Sequence, residues 1–276
     1  MPHSQVAGAV ARYLTVADRM LPGRICGFHV VGSAALGAFR PGRSDIDFVA
    51  VTDGDLDARE LRRLRLVQLA SNVPSAIGAL ARGQVTLPGT LNGVFVRRED
   101  LAKPVTRIRP QASHVGASFS AGKGFDVNPV MWKVLRERGI TFRGPAPGEL
   151  GLDPEPARLR PWNHDNLREY WQPWAMRVLS RRPPPSPPGF KRWTTAWGVL
   201  GPPRLHHTIA TGEVVSKEAA GEYALDVFPA RWHPIVREGL AYWRGEPADP
   251  AFSDHDVRRR RTAEFVLEVV ADAARL

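Results

Sequence analysis

The chain has 276 residues, 43% of them hydrophobic, 8% aromatic and 24% charged; that is enough apolar material for a core and excludes a disordered or fibrous protein. A lone cysteine, Cys26, excludes an intramolecular disulfide and a paired-cysteine metal site. With no leader pattern and no run near the roughly 20 apolar residues of a membrane span, the expected location is the cytoplasm.

The formal charge of +10 would suit a nucleic-acid partner, but it comes from 33 arginines against five lysines, a bias that a GC-rich coding sequence produces whatever the function. Along the chain, Val6, Val10, Tyr13, Leu14, Ala17 and Leu21 recur at helical spacing and predict an opening helix that ends before Pro22 and Gly23. Residues 24–31 form a short apolar run closed by Gly32 and Ser33, hence a buried strand entering a turn. Residues 45–52 begin with alternating acid and apolar side chains and become fully apolar, a second strand with its acids at one end. A helix is expected over 56–80, interrupted near Pro74, then a strand over 91–97, a helix over 129–138 and a last short strand over 140–143.

Pro145, Pro147, Pro154 and Pro156 then read as a linker. Beyond it helices are expected over 162–181, 191–211, 216–228, 231–244 and 255–275, with the proline-rich stretch 182–189 as a loop. The organisation is therefore an α/β domain over 1–155 followed by an all-α domain over 156–276. Nothing resembles a heptad or a large apolar face, so a monomer is expected.

Chemistry concentrates in one segment. Gly32 and Ser33 end a strand in a turn of small residues, which leaves backbone N–H groups and a hydroxyl open to a phosphate. Eleven residues after Ser33 come Ser44, Asp45, Ile46, Asp47 and Phe48. Period two puts Asp45 and Asp47 on one face. Two carboxylates there repel each other unless a hard cation lies between them, and Mg²⁺ held by one or two carboxylates plus substrate phosphates fits. Ser44 can hydrogen-bond a phosphate or close the turn. Alone, such a pair of aspartates is more often a solvated strand end; coupled to the Gly-Ser turn at this distance, the metal reading is favoured.

Gly-Ser, eleven residues, then Asp-apolar-Asp-apolar resembles the signature of the nucleotidyltransferase superfamily related to DNA polymerase beta. Gly144 and Pro145 after a short strand, Arg204 and Leu205 leading to Thr211 and Gly212, Ser216 and Lys217, residues 228–232, and Ala241 with Tyr242 are similar in order and spacing to the aminoglycoside adenylyltransferases acting on streptomycin and spectinomycin. The similarity spans about 25–250. It implies a nucleotidyltransferase domain with a mixed sheet, then a helical bundle that closes on substrate and nucleotide.

The resemblance also implies roles. Asp45 and Asp47 would hold Mg²⁺; Gly32, Ser33 and Ser44 would meet the triphosphate of ATP; Arg204 and Lys217 would neutralise it; and Tyr242 would line the nucleotide site. An alcohol of a small acceptor would attack the α-phosphorus and pyrophosphate would leave. Lys217 is also notable on its own, because it opens a helix, where the macrodipole disfavours a cation.

Two departures stand out. The family carries a third carboxylate on the next strand, as general base or metal ligand, and Asn92 occupies that register; from Leu61 through Arg98 there is no Asp or Glu at all. An amide cannot take a proton at neutral pH. The stretch 191–198, where the antibiotic enzymes carry acids for a polycationic substrate, has none here but has Lys191 and Arg192. An uncharged or weakly charged hydroxylated acceptor is therefore at least as well supported as streptomycin. Trp193 and Trp197, four apart, share a helix face suited to core packing, and His206 and His207 have no metal-ligand spacing. Two other functions are weighed: a nucleotide-binding pseudoenzyme without turnover, and a tRNA-directed or other nucleic-acid-directed transferase, which would need a basic face interleaved with aromatics.

Overall fold

The computed structural model describes residues 3–81, 90–116, 118–180 and 191–276; the expected proline-rich loop at 182–189 lies outside the described residues. The chain divides into two compact units, Met1–Pro156 and Ala157–Leu276.

The first unit is a six-stranded mixed sheet in the order β5-β4-β3-β2-β1-β6. Its strands are β1 (Ile25–Val30), β2 (Ile46–Thr52), β3 (Leu91–Arg97), β4 (Ala112–Val115), β5 (Ser118–Ala121) and β6 (Ile140–Arg143). Only β2 and β3 run parallel, with Asp47 beside Asn92 and Val49 beside Val94; the other neighbours are antiparallel. Strand period two sends Phe28, Val30, Ile46, Phe48, Ala50, Leu91 and Phe95 into one core. The opening helix α1 (Ser4–Met20) lays Val6, Val10, Tyr13, Leu14 and Ala17 on it, and Leu64 and Val67 of α3 (Ala58–Ala81) join them. Asp47, Val49 and Val51, with Asn92, Val94 and Val96, face the other way.

Two expectations needed correction here. The helix over 58–81 runs through Pro74 without a break, because a proline removes one donor from the ladder while the bonds of the flanking turns remain. The hairpin β4–β5 was not anticipated. Its four-residue strands are too short for a period to show in sequence, and Val115 is exposed.

A buried relay fixes β4 against its neighbours. His114 Nδ1 lies 3.1 Å from the Leu91 carbonyl, which can only accept, so Nδ1 carries the proton and Nε2 accepts from the Tyr13 hydroxyl at 3.1 Å. Burial lowers the His114 pKa to about 4, against the raising effect of its bond to Leu91. Between roughly pH 6.5, the unfolded value, and 4 the unfolded chain binds a proton here that the folded chain refuses. Stability is therefore lost as pH falls through that window, by up to about 3 kcal/mol from this residue. Urea unfolding at pH 7 and pH 4.5 is expected to show the loss, and the His114→Gln variant should lose less on the same acidification.

The second unit is helical throughout its described residues: α5 (Pro156–Asn166), α6 (Gln172–Ser180), α7 (Arg192–Thr211), α8 (Lys217–Val227), α9 (His233–Arg244) and α10 (His255–Ala273). The helix expected over 162–181 instead starts at Pro156, which suits the first turn of a helix because its missing N–H would be unpaired there. It passes through a π-helical turn at Leu167–Trp171. Central α7 packs against α8, α9 and α10, and the Trp171 ring presses on it where Gly201 has no side chain; a Cβ there would lie 2.6 Å from Trp171 Cη2. Trp197 joins the ring cluster, 4.2 Å from Trp171 between centroids, whereas Trp193 is 37% exposed and lies at the rim. His206 is internal, bonded to the Tyr223 hydroxyl and to Asp272, each at 2.8 Å.

The buried Glu238 carboxylate accepts from Arg192 Nε at 2.7 Å and from the Asp249 N–H at 3.0 Å. A buried charge needs such partners, so the Arg192 cation is already engaged within the unit. Among the described residues no helix is long and apolar enough to cross a membrane.

Candidate functional site

The carboxyl end of β1 and the start of β2, two inner strands, meet at one end of the sheet, where the Val31 N–H donates to the Asp47 carbonyl at 2.9 Å. The chain turns directly after Val31 into the short helix α2 (Gly32–Ala35). Gly32 has φ +60°, a left-handed conformation that side chains disfavour, and a Cβ there would collide with the Asp47 carboxylate, Oδ2 first. The glycine thus does two things at once: it makes the turn and clears the approach to Asp47. Ser33 follows it, half-buried.

Asp45 is exposed and Asp47 half-buried, just before and just inside β2. Ser44 is buried. Its hydroxyl oxygen accepts from the Arg40 N–H at 3.0 Å while its own N–H donates to the Arg40 carbonyl at 2.9 Å, closing the turn that delivers Asp45. Of its two expected roles, the structure shows the turn; the hydroxyl proton can still be donated. Thr90 is a positioning residue that the sequence did not reveal. Its buried hydroxyl donates to Asp45 Oδ1 at 3.2 Å, and its carbonyl accepts from the Ile46 N–H at 2.9 Å. No local spacing flags it, since it stands 45 positions along the chain.

Asn92 sits beside Asp47 across the parallel pair and is 7% exposed. Its Oδ1 accepts from the Gly116 N–H at 2.7 Å, at the tip of the β4–β5 hairpin. A carboxylate could accept the same bond, so the pocket accommodates either side chain, but only the acid could also take a proton.

Among the described residues no group of three or more His, Cys, Asp and Glu is arranged to hold a metal ion. Asp45 and Asp47 therefore offer two carboxylates and no more, a donor set that fits a hard divalent cation keeping water or phosphate oxygens in its remaining positions.

In the second unit, Arg204 on α7 donates from Nε to the Val215 carbonyl at 3.1 Å. That carbonyl lies two residues before Lys217, so the two cations expected to act together start from one local framework. The Ser216 hydroxyl caps α8 by accepting from the Ala219 N–H, and the Lys217 ammonium lies 4.6 Å above the Trp243 ring centroid. Tyr242, next along α9, has the Arg192 guanidinium over its ring at 5.7 Å.

Residues 13–76 match the family model of the nucleotidyltransferase domain, and residues 191–269 match that of the aminoglycoside adenylyltransferase C-terminal domain. An aminoglycoside (3'') (9) adenylyltransferase of Escherichia coli is 22% identical over 254 residues, covering 92% of this chain and 90% of the relative. One of the same description from Klebsiella pneumoniae is also 22% identical, covering 88% and 87%. Among solved structures, the spectinomycin adenyltransferase AAD(9) of Enterococcus faecialis, crystallised with ATP and spectinomycin, superposes with a TM-score of 0.68 at 12% identity, over 96% of this chain and 99% of that one. At that identity the likeness speaks for the fold.

Proposed function

Because the chain belongs to the aminoglycoside adenylyltransferase-like family of the polymerase-beta-type nucleotidyltransferases, we propose that it transfers AMP from ATP to a hydroxyl of a small aminocyclitol-like acceptor. The observation that carries this is the pairing of Gly32 with Asp47 at the strand ends, where a side chain on Gly32 would close the approach to the carboxylate.

Asp45, oriented by Thr90, and Asp47 would hold Mg²⁺, which when bound supplies positive charge to the phosphates. Ser33 and Ser44 donate hydroxyl protons to the triphosphate, Arg204 and Lys217 neutralise it, and Tyr242 lines the nucleotide site. The acceptor oxygen attacks the α-phosphorus in line; the bond to the β-phosphate breaks and pyrophosphate leaves with its electron pair. The acceptor is uncharged or weakly charged, since the chain is strongly basic and 191–198 holds no acid. The protein acts as a cytoplasmic monomer.

Purified protein with ATP, Mg²⁺ and an aminocyclitol panel is expected to release pyrophosphate over many turnovers, faster with spectinomycin than with the more cationic streptomycin. One observation favours a second function, a nucleotide-binding protein without turnover: the amide of Asn92 stands beside Asp47 where the family has an acid. Tight ATP binding with no release from any acceptor would select it.

A further inference from the structure

The site as built lacks a group to take the acceptor's proton, and one carboxylate, on a turn whose neighbouring residues pack toward the strand of Asn92 and the helix behind Gly32, has no partner among the described residues. Asp126 lies between β5 and α4 (Pro129–Arg138). Two residues before it, Gly124 packs so closely on β3 that a Cβ would lie 2.8 Å from Val94 Cγ1 and 3.2 Å from Pro110 Cγ. Val94 is two residues along β3 from Asn92 and, by strand period, on the same face as Asn92 and Asp47.

Two residues after Asp126, the Asn128 amide donates to the Phe125 carbonyl at 2.8 Å, and its Oδ1 accepts from the Met131 N–H at 2.9 Å to cap α4. That helix packs against α2, which begins at Gly32. The turn carrying Asp126 is thus tied on one side to the strand of Asn92 and on the other to the helix that packs on the Gly32 segment. Asp126 is half-buried and makes no hydrogen bond or ion pair among the described residues. Leaving a partly buried carboxylate unpartnered costs stability, which makes it a candidate for a role in function. Burial raises its pKa above the ordinary carboxylate range, the direction that makes a better proton acceptor near neutral pH.

We propose that Asp126 takes the role Asn92 cannot fill, accepting the proton of the acceptor hydroxyl as its oxygen attacks the α-phosphorus of ATP. The inference rests on the adenylyl-transfer function above. The O–H bond breaks toward the Asp126 carboxylate, the new P–O bond forms, and the electron pair of the broken Pα–O bond departs with pyrophosphate.

The test compares the unaltered protein with Asp126→Asn, Asn92→Asp and the double variant, reading pyrophosphate release with spectinomycin from pH 5 to 9, KM for ATP, and thermal unfolding. Asp126→Asn is expected to lower kcat about 100-fold, leave the KM for ATP nearly unchanged, leave the melting temperature no lower, and abolish the fall of rate at acid pH. Restoring the acid on β3 in the double variant should recover rate. The inference is overturned if Asp126→Asn keeps its rate, or loses rate only along with stability while the pH profile keeps its shape. It is equally overturned if the unaltered protein is inactive while Asn92→Asp is active; that outcome leaves adenylyl transfer standing. If neither turns over, adenylyl transfer itself fails.

Discussion

Asp47→Asn is expected to lower turnover about 1,000-fold, the several kcal/mol that a bound cation's charge supplies to phosphoryl transfer. The substitution keeps the side chain's shape but removes the negative charge and turns one acceptor oxygen into an NH2 donor. The backbone contribution of Asp47, its carbonyl accepting from Val31, is untouched, so the turn at Gly32 is retained and thermal unfolding should shift far less than turnover falls. Loss of rate with little change in stability, accompanied by weaker Mg²⁺-dependent ATP binding, is the expected pattern. Retained turnover would remove Asp47 from the site and with it the reason for the cleared approach at Gly32.

Gly32→Ala should damage both folding and activity. The left-handed backbone at φ +60° penalises any side chain by roughly 1–2 kcal/mol, and the added methyl also collides with Asp47, whose Cγ would lie 2.9 Å away. Moving a carboxylate by an ångström in such a site costs on the order of 100-fold in rate. Gly54→Ala separates the two effects: Gly54 has φ +72° but open space around a Cβ. That variant should lose comparable backbone stability, measured by urea unfolding, and keep its activity. If both variants behave alike in turnover, the contact with Asp47 is irrelevant.

Much of the fold was legible in sequence because its elements satisfy their own periodicity. β3, α4 and β6 were placed on the same residues that form them, and α7 to α10 within two residues at each end. What escaped were pieces whose stability comes from neighbours. β4 and β5 offer four residues each, and they hold because His114 bonds to Leu91 and Tyr13, which are distant in sequence. The π-helical turn at 167–171 likewise brings Trp171 against Gly201 on another helix, and no pattern within five residues announces that fit.

The site divides along the same line. The Gly-Ser turn and the Asp45–Asp47 spacing were readable, because a strand's period of two fixes which side chains share a face. Thr90 as the partner of Asp45, the double use of Gly32, the seat of Asn92 against Gly116 and the position of Asp126 were not, since each joins residues far apart in the chain.

The sequence by itself determined the order of most elements and the pair of acids on one strand face, because these follow from local periodicity, while the absence of a third acid is a departure from the family the chain resembles. Only the tertiary structure decided that Asn92 stands beside Asp47, that Arg192 is neutralised by a buried Glu238, and that the turn of Asp126 is tied to both β3 and α4. Proximity between groups tens of residues apart is set by how strands pair and helices pack, and that information exists only once the chain has closed on itself.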